Sequence, residues 1–322
     1  MKKYRNSIIS AFIVFAILSI MQLKMKSPMI LIERFFINSG WLAIILLSLY
    51  AAFLVYKMQD VTQTAKWRKR SWLAFSFVFF GQLALGLLGF ENFLMTGKLH
   101  FPIPALIISG PIYRMQLSFM TILFLSTVVI SGPAWCSQLC YFGSWDYWAS
   151  SRGKPKRFIK KIWNYKFTFL MIFVLAALLL RFFMVNISIV IAMSAFSGVF
   201  GIFIILVFST RKNKMVHCST YCPVGSLVNI IKHVNPFRMY IDSNCIECMK
   251  CVPYCKHNAL NPETIRNRKP GLTCTYCGDC LQACQFSSIK YKFFNLSPTV
   301  ARSLWLVTTI SLHAIFMGLA RI

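Results

Sequence analysis

Eight cysteines toward the C-terminal end of this chain repeat one spacing. Cys245-x2-Cys248-x2-Cys251-x3-Cys255 recurs as Cys274-x2-Cys277-x2-Cys280-x3-Cys284, with every position offset by 29 residues. Three thiolates two residues apart can wrap one face of a cubane, and in two-cluster ferredoxins the fourth cysteine of each run ligates the other cluster. That rule assigns Cys245, Cys248, Cys251 and Cys284 to a first [4Fe–4S] cluster, and Cys274, Cys277, Cys280 and Cys255 to a second. Structural zinc favours separated C-x2-C pairs, a poorer match to triplets with a trailing fourth. The usual proline after the fourth cysteine is replaced by Lys256 and Gln285, and Pro253 lies inside the first x3 spacer.

The other four cysteines form a second duplication. Cys136-Ser-Gln-Leu-Cys140-Tyr-Phe-Gly-Ser144 matches Cys218-Ser-Thr-Tyr-Cys222-Pro-Val-Gly-Ser226 at Cys, Ser, Cys, Gly and Ser. Brought together, Cys136, Cys140, Cys218 and Cys222 offer a further iron–sulfur centre or a redox-active dithiol pair. The alternative, cysteine packing as a small apolar residue near a helix end, does not account for a motif repeated with its neighbours. His217, beside Cys218, and Asp146, six residues after Cys140, are the nearest groups able to move a proton, and each also reads as an ordinary loop residue. His100, His233 and His257 fall in loops, and His313 falls in a span. No haem, flavin or nicotinamide motif is found.

These motifs need elements to hold them. The chain has 322 residues, 57% hydrophobic and only 13% charged, against roughly 25% charged in ordinary soluble domains. Seven apolar windows approach the roughly 20 residues that a bilayer core requires: Ser7–Leu23, Ser39–Tyr56, Trp72–Phe90, Met115–Ile130, Phe167–Leu180, Ile187–Phe208 and Ser303–Leu319. With the N-terminus inside, 28 of the 35 Lys+Arg fall on one side of these spans. The outside residues are Lys24, Lys26, Arg34, Lys98, Arg114, Arg181 and Arg321. The net charge of +27 therefore reads as the positive-inside rule. A nucleic-acid partner is not indicated, since no reading motif accompanies the charge. The same topology puts the cysteines in a reducing compartment, which disfavours disulfides. Trp41, Trp67, Trp72, Trp135, Trp145 and Trp163 lie near span ends and read as interface anchors. The proline-broken segment Phe101–Arg114 reads as an interfacial loop, or else as a re-entrant or surface-lying piece.

The fold class that follows is an all-α polytopic membrane protein with about seven transmembrane helices. Within it, a helix pair plus a C-x3-C turn is duplicated over roughly 72–145 and 167–227, and a small α+β bacterial-type 2[4Fe–4S] ferredoxin-like domain is attached. The domains are 1–227 (transmembrane, with both C-x3-C motifs), 228–296 (ferredoxin-like, cytoplasmic) and 297–322 (a last transmembrane helix). The expected location is the cytoplasmic membrane, with the N-terminus inside and the C-terminus outside.

Paired C-x3-C(P) motifs at helix ends, followed by the twin C-x2-C-x2-C-x3-C run, resemble the NapH/NosR-type polyferredoxin-like membrane proteins, to which the MauN and CcoG types are related. The resemblance covers roughly residues 72–292. The second copy is a full C-x3-C-P (Cys222-Pro223), whereas Tyr141 follows Cys140 in the first. The resemblance implies electron transfer between the quinone pool and other redox proteins or subunits, in contact with membrane lipid. The alternative it implies is a metal-handling or maturation factor of the cupric-reductase kind. The flavin domain of NosR has no counterpart among the outside segments. The excess of basic residues over 228–296 suits an acidic partner.

Overall fold

A computed structural model describes residues 2–25, 29–93, 103–117, 119–153, 159 and 161–319. Lys26, Lys98, His100, Phe101, Pro102, Arg321 and the basic residues of 154–158 and 160 lie outside the described residues. The helices are α1 (Lys2–Lys24), α2 (Gly40–Met58), α3 (Val61–Leu87), α4 (Leu106–Arg114), α5 (Phe119–Ser131), α6 (Tyr141–Ser150), α7 (Ile162–Phe182), α8 (Ile187–Ile204), α9 (Thr210–Lys212), α10 (Pro223–Ile231), α11 (Pro262–Arg266) and α12 (Pro298–Leu319). Seven stretches among the described residues are long and apolar enough to cross a membrane: Lys3–Lys24, Gly40–Met58, Val61–Leu87, Thr121–Leu139, Ile162–Phe182, Ile187–Lys212 and Pro298–Leu319. The chain is thus mostly helical and built as a multi-pass membrane protein.

The third and fourth differ most in extent from their apolar windows, for identifiable reasons. The third starts at Val61 because Asp60 caps it, accepting the Thr62 N–H at 3.0 Å, and the basic run that follows contains no helix breaker. The fourth continues past Ile130 by changing helical form, through a 3₁₀ turn at Gly132–Ala134 and a π-helical turn at Trp135–Leu139.

The chain divides into two compact units. In the first (Met1–His100, Gln138–Ser144, Asn295–Ile322), α1 and α2 pack on each other and on α12. Their core includes Val14, Leu18, Ile44, Leu54 and Ile310. Polar pairs lock the helices: Ser10 and Ser311 share a 2.8 Å bond, and Arg302 donates to the carbonyls of Gln59 and Met58 at 2.7 and 2.8 Å. His313 is buried between the Tyr50 hydroxyl (3.1 Å) and the Gln138 carbonyl (2.9 Å). Trp72 is not an interface anchor. It is 1% exposed and its indole N–H donates to the Cys140 carbonyl at 2.7 Å, because a buried indole needs an acceptor.

In the second unit (Phe101–Ser137, Trp145–Phe294), the described part of the 101–114 segment is not a loop. It forms α4, which packs on α7 and α8 and is pinned by a 2.8 Å bond between Ser109 and Ser194. Pro111 sits inside α4, and Met115 ends it in a left-handed conformation. Farther along, β1 (Phe237–Ile241) pairs antiparallel with β2 (Ile289–Phe293), Phe237 opposite Phe293 and Ile241 opposite Ile289. The alternation of Phe237, Met239 and Ile241 with half-buried neighbours buries one face of this small sheet. Asn235, just before β1, donates to the carbonyls of Val129 and Ile130 at 2.6 and 3.1 Å. Gly132 turns the chain there with φ +56°, and a Cβ on it would lie 3.0 Å from the Asn235 side chain. Only glycine combines that dihedral with that approach.

Candidate iron–sulfur site

The repeat of 29 residues is a repeat of backbone as well as of sequence. Glu247 and Tyr276, Met249 and Gly278, and Asn258 and Ser287 are pairs at that offset, and all six residues have positive φ. The 3₁₀ turns Val252–Tyr254 and Leu281–Ala283 also correspond. So do the amide bonds to sulfur, from Ala259 N–H to Cys255 Sγ and from Ser288 N–H to Cys284 Sγ, both 3.2 Å. Left-handed residues interleaved with right-handed ones turn successive N–H groups toward a common concavity, which favours an anion.

β1 and β2 bracket these two loops, and each loop set surrounds a cavity. One is lined by Cys245, Cys248, Cys251 and Cys284, with Ile246 and Phe286 beside them. The other is lined by Cys255, Cys274, Cys277 and Cys280, with His257 and Tyr254. The fourth cysteine of each run thus lines the cavity of the other run's triplet. Among the described residues no three His, Cys, Asp or Glu side chains close on a single ion. A cubane instead spreads its thiolates over separate iron corners, so four cysteines around a cavity suit it better than they suit zinc.

Burial pushes the thiols of Cys255, Cys274 and Cys251 up to about 12, 11 and 11. Left metal-free they keep their protons, so loading iron must release them. The sets differ in access: Cys248 is exposed, as are Ile246 and Phe286 around it.

The two C-x3-C motifs share a backbone form that their sequences do not announce. Trp135–Leu139 and His217–Tyr221 are both π-helical turns, at the same positions relative to their cysteines. Single π turns are uncommon and concentrate at functional sites. In each copy the second cysteine directly precedes a helix, Cys140 before α6 and Cys222 before α10. There Cys222 Sγ accepts the Gly225 N–H at 3.4 Å, and Pro223 occupies the first helical position. A helix N-terminus favours thiolate over thiol, whereas burial raises Cys222.

Cys136, Cys218 and Cys222 lie in one unit, and the second copy's turn stands against Lys166 of α7, whose Nζ is 3.4 Å from where a Cβ on Gly225 would lie. Cys140 belongs to the other unit, where its carbonyl is held by Trp72. Asp146 and His217 are not solvated loop residues. Asp146, in α6, is 0% exposed and accepts the Cys218 N–H at 2.8 Å. Burial raises its carboxyl to about 6. His217 is 4% exposed, packed so closely on α8 that a Cβ on Gly201 would meet its Cε1 at 2.6 Å. Burial and the Lys166 charge lower its ring to about 4, so it is neutral at pH 7.

The serine inside each C-x3-C turn reaches the ligand loops of the second cysteine set. Ser137 Oγ donates to the Thr275 carbonyl and Ser219 Oγ to the His257 carbonyl, both at 3.3 Å. Thr275 follows Cys274, and His257 lies two residues after Cys255. Lys232, at the end of α10, donates to the carbonyls of Leu272 and Cys274. The signal for these serines was present in the repeat, which keeps Ser137 and Ser219 in register. For Lys166 there was none, because one lysine at the start of an apolar helix reads as a flanking charge.

Comparison with known proteins bears on these same turns. A family model described as a 4Fe-4S binding domain matches residues 115–166 and 194–237, one segment for each C-x3-C motif. An uncharacterized protein of Methanocaldococcus jannaschii is 28% identical over 82 residues, which is 25% of this chain. The chain covers about a third, 32%, of that relative's length. No solved structure matches. With twelve cysteines, a matched 4Fe-4S binding domain and seven apolar helices, the chain is a membrane-spanning iron–sulfur protein suited to electron transport.

Proposed function

We propose that this chain is an electron-transfer subunit of the quinol dehydrogenase type, like the NapH/NosR-type proteins it resembles. It would pass electrons between the quinone pool of the cytoplasmic membrane and a partner redox protein. The observation that carries this reading is the pair of serine bonds from the C-x3-C turns to the loops of the second cysteine set. They give the redox groups an order. Quinol meets the C-x3-C thiols of Cys136, Cys218 and Cys222. The second cluster follows, then the first, then the surface at the exposed Cys248.

The clusters, when bound, carry one electron each. The protein's own residues do the rest. Backbone turns at Glu247, Met249, Tyr276 and Gly278 shape the anion-binding cavities. Asp146 and the π turns fix the position of Cys218. The ferredoxin-like segment 228–296 carries nine Lys+Arg against four Asp+Glu, which favours an acidic partner at the Cys248 face.

Anaerobic purification with iron, sulfide and EPR analysis tests the C-x3-C assignment. Two [4Fe–4S] clusters account for about 8 Fe per chain. More than this is expected, with the excess iron and its signal lost in Cys218→Ser. Eight irons that are unchanged by Cys218→Ser would contradict a centre there.

A further inference from the structure

We infer that Lys166 is the built-in counter-cation of the C-x3-C centre and sets its reduction potential, an inference that rests on the reading of those thiols as iron–sulfur ligands. Lys166 lies near the start of α7 and is 1% exposed. Its surroundings are fixed by the second C-x3-C copy. The spot where a Cβ on Gly225 would stand is 3.4 Å from Lys166 Nζ, 3.2 Å from the Cys218 carbonyl oxygen and 3.6 Å from Cys222 Cβ. Gly225, shared by both copies of the motif as Gly143 and Gly225, thus leaves room for the ammonium against the cysteine turn. Ser226, the other shared neighbour, donates to the Lys166 carbonyl at 3.2 Å and so ties α7 to α10.

The second copy of the motif brings the Cys218 carbonyl and the Cys222 side chain against this ammonium. Neither the facing His217 ring nor the Lys232 ammonium supplies a negative charge. A buried ammonium is costly without an opposite charge beside it. Neutral thiols would not supply that charge, and a disulfide would remove it. Metal-bound thiolates supply it, because a coordinating thiol is deprotonated outright. Under that reading, the thiolates of the centre are the counter-charge that a buried Lys166 ammonium needs.

The cation also acts on electron transfer. A quinol oxidised to quinone gives up two protons to water and two electrons, which reach the centre one at a time. Each electron adds one negative charge with no bond made or broken at the thiolates and no proton taken up by Lys166. A fixed positive charge in a low-dielectric site favours that added charge, so it raises the potential of this centre and leaves the two clusters of the 228–296 segment alone.

The test is a dye-mediated EPR redox titration of the full chain, purified anaerobically, with Lys166→Met and Lys166→Arg. In Lys166→Met the reduction equilibrium of the C-x3-C centre is expected to fall at least tenfold, which is 59 mV for one electron. Lys166→Arg should stay near wild type, and the other two clusters should not move. Loss of the centre in Lys166→Met with retention in Lys166→Arg supports the same role. An unchanged potential in Lys166→Met, or equal loss of the centre in both variants, overturns it in favour of simple packing. A wild-type chain without iron beyond the two clusters fails differently, since it removes the cluster reading of the C-x3-C thiols and this inference together.

Discussion

Cys245→Ser and Cys284→Ser are each expected to remove the iron of one cluster, about four atoms per chain, and the double variant is expected to lose no more than either alone. Cys245→Ser combined with Cys255→Ser should instead lose both clusters. This pattern follows from the cavities: Cys284 lines the one that holds Cys245, Cys248 and Cys251, and Cys255 lines the one that holds Cys274, Cys277 and Cys280. If each run of four cysteines held its own cluster, Cys245 with Cys255 would be the non-additive pair and Cys245 with Cys284 the additive one. Residues that share one partner fail to add, whereas independent sites add. Iron content and the EPR spectra of the reduced variants read the outcome directly.

The second large effect is expected at Asp146. Its carboxylate accepts the Cys218 N–H from a fully buried position. Asp146→Ala leaves that N–H without its acceptor, at a cost of about 1.5–3 kcal/mol for a bond to a charged group. Occupancy of the C-x3-C centre should fall about 10- to 150-fold at limiting iron. Asp146→Asn keeps an acceptor oxygen and should stay much closer to wild type. The two also separate by pH. Burial raises the folded carboxyl from 3.8 to about 6, so the fold disfavours the ionised form. That penalty is absent below about pH 4, grows through the window to about 6 and is complete above it. Wild type should therefore lose stability relative to Asp146→Asn as pH rises from about 4 to 6, measured by thermal unfolding in detergent. A difference independent of pH would mean that Asp146 is not the buried ionising group.

Much of this architecture was legible because it is written in spacing. The 29-residue offset of the cysteines reappears as paired left-handed residues, paired 3₁₀ turns and paired amide–sulfur bonds. Thiolate ligation demands the same loop each time, so sequence and backbone repeat together. The seven apolar windows correspond in number to the seven long apolar helices, since bilayer thickness dictates length.

What was not legible depends on packing between distant segments. Lys166 counted among the inside charges of a topology argument, yet α7 begins before it and the second C-x3-C turn stands against it. Asp146 and His217 read as loop residues because nothing local says that α6 and α8 will bury them. Trp72 looked like an interface anchor by its place near a span end, until the Cys140 carbonyl proved to be its acceptor. The segment 101–114 read as a loop for its prolines, but Pro111 is tolerated within a short helix that α7 and α8 support. The π turns have no sequence signature, and only the repetition of Cys-Ser-x-x-Cys hinted that both copies would adopt one shape.

The central claim is that quinol electrons enter this chain and reach its clusters. The most direct measurement adds menaquinol or ubiquinol anaerobically to the purified, fully iron-loaded chain and follows cluster absorbance and EPR. One quinol supplies two electrons, so one equivalent is expected to reduce two one-electron centres, with Cys218→Ser slowing the reaction while its two remaining clusters stay reducible by dithionite. No reduction by either quinol, in a preparation whose clusters dithionite does reduce, would contradict the account.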